Sequence, residues 1–259
     1  MKKIYIIVLN YNGCKNTVEC INSLKKVRSP QGYEVIPVIV DNASHDNSVA
    51  MVRAEFPGVT VIANTENVGT SKAVNQALQQ VNARFVLWLN PDMQLIEDTL
   101  RVSVHEMEQR ENVGVLGVHL VSEQGETIAH VRKFPTWFDQ AIIVSKVGKL
   151  FPRLLDTYLC HTFDYAREQA VPSIRGSYFF MRSSALQKVG NFDEQFFVWF
   201  EEVDMCKRME QAGYTVWYTP KTKAIDLIGQ SFAQVATLKK QKMFVSSMMK
   251  YFKKHGIFG

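Results

Sequence analysis

Four short apolar runs, each followed by a polar segment rich in Asn or Asp, constrain this chain's fold most strongly. Ile4 to Leu9 runs into Asn10-Tyr11-Asn12, and Tyr33 to Val40 into Asp41-Asn42-Ala43-Ser44-His45-Asp46. Val59 to Ile62 leads towards Asn67-Val68-Gly69, and Arg84 to Leu89 into Asn90-Pro91-Asp92. Short apolar runs bounded by turn residues read as buried strands. Between and after them, Asn16 to Val27, Asn47 to Glu55, Thr70 to Gln80 and Glu97 to Arg110 carry helical patterns. This alternation predicts an α/β fold: a mostly parallel central sheet with flanking helices and right-handed crossovers. Ligands bind such sheets at the carboxyl ends of the strands, so the polar loops should converge on one edge.

The second half of the chain changes character. Val113 to His119 and Glu126 to Val131 read as strands, whereas Lys133 to Val171 is aromatic, basic and without a clean period, an irregular insertion. An ordered stretch at Ser173 to Arg182 follows, then a helix from about Glu202 to Ala212 stopped by Gly213, and a strand at Tyr214 to Tyr218 closed by Pro220. Neither a repeat nor a low-complexity linker divides the 259 residues, so one compact domain is the expected organisation.

Cysteine usage, charge and hydropathy exclude several classes. Cys14, Cys20, Cys160 and Cys206 form no Cys-x-x-Cys pair, which suits a reduced, cytoplasmic protein better than a disulfide scaffold or zinc site. Met1-Lys2-Lys3 before Ile4 to Leu9 imitates a signal peptide, but the apolar stretch is too short and reads as a first strand. No run approaches the roughly 20 apolar residues of a membrane span. Six lysines and no acid lie from Gly229 onwards, leaving 24 basic against 25 acidic residues before it. A neutral body with a basic tail does not suit a general nucleic-acid binder.

Asp92 is delivered to a strand end, where a fixed carboxylate suits Mg²⁺ or Mn²⁺, which take hard oxygen ligands; a turn into the next helix is the plainer reading of Asn90-Pro91-Asp92. Asp41 stands at another strand end, placed to accept a hydrogen bond from a nucleotide base, while Ser44 or Asp46 can cap the next helix; capping alone is the plainer reading of the segment. Lys72 and Asn75 are one helical turn apart, and Lys72 would meet phosphate or simply be solvated. Glu201-Glu202-Val203-Asp204 opens a helix, where the dipole stabilises acids by roughly 0.3–1 kcal/mol each. That accounts for one acid more easily than three. Phe196, Phe197, Trp199 and Phe200 just before them would raise a carboxylate's pKa, which makes Glu202 the candidate general base. In the tail, Phe244, Met248, Met249, Tyr251 and Phe252 interleave with lysines, a pattern for a helix lying on an anionic membrane surface or packing on the domain.

Taken together, Leu9-Asn10-Tyr11-Asn12, Val40-Asp41-Asn42-Ala43-Ser44, Asn67-Val68-Gly69 with Asn75, Leu89-Asn90-Pro91-Asp92, Gly190-Asn191-Phe192-Asp193-Glu194 with Phe197, Glu201-Glu202-Val203-Asp204 and Tyr251-Phe252-Lys253-Lys254-His255 resemble the family 2 glycosyltransferases. The nearest branch is the bacterial rhamnosyltransferase-like one that builds surface polysaccharides. The resemblance implies a GT-A (Rossmann-like) fold, a dTDP- or UDP-linked sugar donor such as dTDP-rhamnose, a divalent metal, and an inverting transfer to a hydroxyl of a saccharide or lipid-linked acceptor. It implies a donor half at 1–119, an acceptor-binding and catalytic half at 120–231, and a basic C-terminal helix at 232–259, in a cytoplasmic protein attached peripherally to the inner face of the plasma membrane. On this reading Asp41 holds the base, with Asn10, Asn12, Asn42, Asn67, Lys72 and Asn90 on the donor side. Asp92 binds the metal, Glu202 deprotonates the acceptor, and Trp199, Glu201 and Arg175 lie on the acceptor side.

Three positions depart from the family pattern. Asn90 replaces the first acid of Asp-x-Asp, Glu202 stands where many relatives have Asp, and Asp226 stands where relatives carry a metal-binding His before Gly229-Gln230-Ser231. Aspartate keeps a hard ligand there, or marks an eroded metal site in a non-catalytic nucleotide-sugar-binding protein. A nucleotidyltransferase, the third alternative, would carry a Gly-rich basic first loop, unlike Asn10-Tyr11-Asn12-Gly13-Cys14.

Overall fold

A computed structural model describes residues 1–227 and 237–256. The expected alternation is present as β1 (Lys2–Asn10), α1 (Cys14–Lys26), β2 (Tyr33–Asp41), α2 (Ser48–Glu55), β3 (Thr60–Ala63), α3 (Thr70–Leu78) and β4 (Phe85–Leu89). Then come β5 (Met93–Leu95), α4 (Thr99–Gln109), β6 (Val113–Val121), β7 (Val131–Arg132), α5 (Trp137–Ser145), α6 (Asp156–Leu159) and β8 (Gln169–Val171). β9 (Ser173–Ile174), β10 (Tyr178–Arg182), α7 (Ser183–Val189), α8 (Glu201–Gln211), β11 (Thr215–Asp226) and α9 (Thr237–His255) complete the described chain.

The main sheet runs β3-β2-β1-β4-β10-β6-β11-β5, with β8 added to β11. Its first four strands are parallel, as is the β6–β11 pair, while β10 lies antiparallel between β4 and β6. The sheet is buried on both faces. Ile4, Ile6, Val8, Phe85, Leu87 and Leu89 pack on the side of α1 and α4, and Ile7, Val86, Trp88 and Phe179 on the side of α3 and α8. Double burial is why β4 reads as an unbroken apolar run rather than an alternation. The strand order reverses between β1 and β4, and a crevice opens at their carboxyl ends.

Several expectations need correction. Glu126 to Val131 is not a strand: only Thr127 bridges Val121, and pairing resumes at β7, because residues 123–127 are exposed and Gly125, at φ +84°, turns the chain. Pro220 does not close β11, which continues to Asp226; the proline falls within a register shift between Thr219 and Lys223, where its missing N–H interrupts no ladder. Asp92 leads first into the three-residue β5, too short to show a period, and the next helix begins at Thr99 rather than Glu97. The stretch from Ser173 to Arg182 is broken into β9 and β10 around Gly176. Within the irregular insertion lie α5, α6 and two short 3₁₀ turns, Val147–Lys149 and Pro152–Leu155. The tail helix is present as α9, and its apolar side is occupied: Met248, Tyr251 and Phe252 are buried against Phe196, Phe200 and Val203. Met249, by contrast, is half exposed. Among the described residues no helix is long and apolar enough to cross a membrane. The segment Gly229-Gln230-Ser231 lies outside the described residues.

Candidate active site

The crevice is a cleft of about 440 Å³. Leu9 of β1 and Tyr11 just after it, Asn42 just after β2, and Asn67, Gly69 and Thr70 before and at the start of α3 line one part of it. Asn90, Pro91 and Asp92 form its floor with Trp88, and Arg175, Gly176 and Ser177 enter from the β9–β10 turn. Phe197, Val198, Trp199, Glu201 and Glu202 face them, and Lys239 and Met243 of α9 close the rim. Gly176 is required by packing, since a Cβ there would stand 2.7 Å from the Trp88 ring.

The donor-side residues divide into a lining and a support. Asn10 Nδ2 donates to Asp41 Oδ2 at 2.7 Å, Ser44 Oγ donates to the same oxygen at 2.6 Å, and the Ser44 backbone N–H donates to Asp41 Oδ1 at 2.9 Å. Asn10 Oδ1 in turn accepts from Thr17 Oγ1 and the Gly13 N–H. Asp41 is only 2% exposed, so its carboxylate braces the loop behind the cleft wall. Asn12, in the left-handed region at φ 53°, accepts from the His45 N–H at 2.7 Å and also lies outside the lining. Asn42 and Asn67 do face the cleft, joined by a 2.9 Å bond from Asn42 Nδ2 to Asn67 Oδ1. Lys72 is exposed and outside the lining, and Asn75, one turn on, is buried. Neither lines the cleft.

Asn75 ties the halves together. Its Nδ2 donates to Phe192 O at 2.8 Å and to Glu194 Oε1 at 3.0 Å, and its Oδ1 accepts from the Phe192 N–H. The Thr70 N–H at the α3 N-terminus donates to Phe197 O at 2.6 Å. That approach requires Gly69, at φ +84°, because a Cβ would stand 2.6 Å from the same oxygen. The chain then passes through Trp199 and Phe200, both non-glycine residues at positive φ (64° and 71°), into α8. Two such residues in succession store strain of order 1–3 kcal/mol each, held here by Asn75 and Gly69 on one side and α9 on the other. The expected aromatic wall is split: Phe197 and Trp199 face the cleft, while Phe196 and Phe200 are buried under α9.

The strained turn presents Glu201 and Glu202 together. Burial, and then the neighbouring Glu202 charge, push the Glu201 carboxyl well above its ordinary value. Burial also raises Glu202, while backbone hydrogen bonds and the Arg175 cation pull it back. The two carboxyls influence each other's titration, and the upward push is the stronger on Glu201.

The third acid of the cluster is structural. Asp204, fully buried, accepts from Arg208 Nε at 2.9 Å, His255 Nε2 at 2.7 Å and Lys254 Nζ at 2.7 Å. Burial alone would raise its pKa; these partners together lower it. Arg208 also donates to the carbonyls of Val189, Gly190 and Asn191, so it does not simply face water.

Asp92 and Asp226 are brought together. Asp226 pairs across the β5–β11 ladder with Met93, and the Leu227 N–H donates to Asp92 O at 3.0 Å. Both side chains are buried, and Asp92 lines the cleft. No group of three or more His, Cys, Asp or Glu that could hold a metal is present among the described residues. Hard carboxylates nevertheless fit Mg²⁺ or Mn²⁺, which are commonly held by one or two carboxylates plus a substrate's phosphates. Sequence reasoning missed Tyr11, Ser177, Lys239 and Met243 as lining residues. Lys239 was visible only as part of a basic tail.

The fold and site define an open-sheet α/β protein with a polar cleft at the switch point, and comparison with known proteins specifies the family. The chain belongs to glycosyl transferase family 2, whose model matches residues 5–190. It is 25% identical over 205 residues to an N-acetylglucosaminyl-diphospho-decaprenol L-rhamnosyltransferase of Mycobacterium tuberculosis, covering 73% of this chain and 65% of the relative. It is 25% identical over 170 residues to the rhamnosyltransferase WbbL of Escherichia coli K12, covering 65% and 61%. The chain therefore spans less than two thirds of either relative's length. A mannosyltransferase from Pyrobaculum calidifontis, solved with GDP-Man and Mn²⁺, shares the fold with a TM-score of 0.65 at 18% identity, covering 96% of this chain and 64% of that one.

Proposed function

We propose that this chain is an inverting glycosyltransferase that moves a sugar, rhamnose or a hexose, from a nucleotide-sugar donor to a hydroxyl of a saccharide or lipid-linked acceptor. The observation that carries the proposal is one cleft lined both by Glu202, just after the strained turn, and by Asn90 and Asp92 at the sheet's switch point. The rhamnosyltransferase names of the two relatives support the polysaccharide-building role, and the Mn²⁺ and GDP-Man of the archaeal neighbour support a metal and a nucleotide-sugar. The donor side falls in residues 1–119, and the acceptor and catalytic side in residues 120–231.

Tyr11, Asn42 and Asn67 bind the donor nucleotide, with Asp41 and Asn10 holding their loops. Asp92, with Asp226 behind it, would hold Mg²⁺ or Mn²⁺, which when bound stabilises charge on the leaving nucleoside diphosphate. Glu202 takes the proton of the acceptor hydroxyl as its oxygen bonds to the anomeric carbon. The bond from that carbon to the diphosphate oxygen breaks with its electron pair leaving on the nucleotide, and the configuration inverts. Trp199 and Arg175 orient the acceptor, and the Arg175 cation offsets part of the rise that burial imposes on the Glu202 carboxyl.

A panel of dTDP-, UDP- and GDP-sugars with and without Mn²⁺, scored by release of free nucleotide, tests this reading. Metal-stimulated release with one donor is expected; donor binding without release under every condition would instead assign a non-catalytic nucleotide-sugar-binding protein.

A further inference from the structure

Seven of the twelve large apolar side chains that stand exposed among the described residues fall within 137–154. Phe138 is 63% exposed, Leu150 78% and Phe151 60%, with Trp137, Val147 and Leu154 beside them in sequence. Helix α5 is inverted for a water-facing helix: it buries Gln140 and Ile142 and turns Trp137, Phe138 and Val144 outward. Soluble monomers rarely expose so concentrated an apolar surface unless something covers it. The segment is nevertheless built, since α5 opens with a reciprocal capping box between Thr136 and Asp139 and packs against both 3₁₀ turns.

The charge around this surface is mostly positive. Lys146, Lys149 and Arg153 are exposed within it, whereas Asp139 is engaged in the capping box and Asp156 accepts from His161 Nδ1 at 2.6 Å. Against α5 lies α9, with the Trp137 and Phe252 rings in T-shaped contact at 5.4 Å, and the described part of α9 adds lysines and no acid. Because α9 also supplies Lys239 and Met243 to the cleft rim, this surface and the cleft share an element.

We propose that residues 137–154 form a docking surface for an anionic lipid bilayer, with Phe138, Leu150 and Phe151 entering the headgroup–acyl boundary and Lys146, Lys149 and Arg153 meeting the lipid charge. Apolar side chains flanked by basic ones match a lipid surface in both respects. The membrane contact is thereby assigned chiefly to the insertion rather than to α9, which buries Met248, Tyr251 and Phe252 and exposes only Leu238 and Met249 among its described large apolar side chains. The inference rests on the glycosyltransferase reading for its purpose, which is to bring the cleft to lipid-linked acceptors.

The test is sedimentation of the full chain with phosphatidylglycerol vesicles and with phosphatidylcholine vesicles, for wild type, Leu150→Glu/Phe151→Glu, Lys146→Glu/Lys149→Glu and Lys253→Glu. Wild type should bind the anionic vesicles preferentially. The first variant should lose binding at least tenfold, and the second about fivefold or more per position. Lys253→Glu, on α9, should change it little. Thermal melting of each variant verifies the fold. Undiminished binding in the two insertion variants, or loss confined to Lys253→Glu, overturns the proposal. So does a wild type that binds no vesicles but forms a dimer that Leu150→Glu/Phe151→Glu dissociates. Nucleotide release with a soluble saccharide acceptor separates the two readings: its absence alongside intact vesicle binding would count against the glycosyltransferase assignment alone.

Discussion

Asp204 in α8 and His255 near the end of α9 are joined by a 2.7 Å hydrogen bond between two buried side chains, 51 residues apart in sequence. Lys254, the preceding residue, reaches the same carboxylate oxygen and also Asp193 Oδ2 at 2.6 Å. The end of α9 is thereby fastened to the helix that presents Glu202. Removing one partner of a buried charged network costs about 3–5 kcal/mol. Asp204→Ala should therefore destabilise the protein by about 3 kcal/mol in chemical denaturation. Asp204 has a lowered pKa in the folded state, so its contribution is present above its unfolded value of about 3.9 and is lost as pH falls through the folded value. The gap between wild type and variant should close in acid. A gap that persists unchanged there would locate the stabilisation elsewhere.

Gly69 allows a comparison between two glycines. Gly69 and Gly32 both have positive φ (84° and 79°), but a Cβ on Gly69 would strike Phe197 whereas one on Gly32 meets nothing within 4 Å. Gly32→Ala should cost about 1 kcal/mol from backbone strain alone. Gly69→Ala should cost about 3 kcal/mol and reduce turnover, because it pushes away the segment that enters α8. Equal melting temperatures for the two variants would show that the α3–Phe197 contact is dispensable.

Much of this was legible in the sequence, for identifiable reasons. The parallel half could be read because β1, β2 and β4 are buried on both faces and end in turn residues, leaving an uninterrupted signal. The β6 to β11 region was harder: β5, β7, β8 and β9 are two or three residues long, below the span at which a period can be seen. Proximity in space was also hidden. Asp41 and Asn42 are adjacent in sequence, yet Asp41 is locked behind the wall by Asn10 and Ser44 while Asn42 faces the cleft. The pattern of Lys72 and Asn75 gave no sign that Asn75 would hold Phe192 and Glu194 instead of a ligand.

The two carboxylates at the β5–β11 ladder should separate by role. Asp92→Ala should weaken Mn²⁺-dependent donor binding by tenfold or more in calorimetry, about 1.4 kcal/mol, and leave metal-free binding unaffected. Asp226→Ala should show the same loss in smaller degree, since Asp226 lies outside the lining. Identical Mn²⁺ dependence in wild type and both variants would remove these residues from the metal site.

Glu201 is the member of the acid pair whose burial is costly. Its Oε2 has no hydrogen-bond partner among the described residues, and its carboxyl is raised well above its ordinary value by burial. The folded state therefore binds a proton that the unfolded state releases, and stability falls as pH rises from about 4.3 through the folded value. Glu201→Gln should remove that fall, melting higher than wild type at pH 8 and converging with it in acid. A variant that melts lower at pH 8 would show that the ionised carboxylate is stabilising.

The pH dependence of transfer should report Glu202. A general base must be deprotonated, so kcat/KM should fall as pH drops through its pKa, and burial places that limb above the ordinary glutamate value of about 4.3. Arg175 holds the limb down by its charge, so Arg175→Gln should move it to higher pH even where the maximal rate is little changed. Glu202→Gln should lower turnover by about 10²–10⁴-fold while donor affinity stays near wild type. An acid limb that is unmoved by Arg175→Gln and survives in Glu202→Gln would assign the titration, and with it the base, to another group.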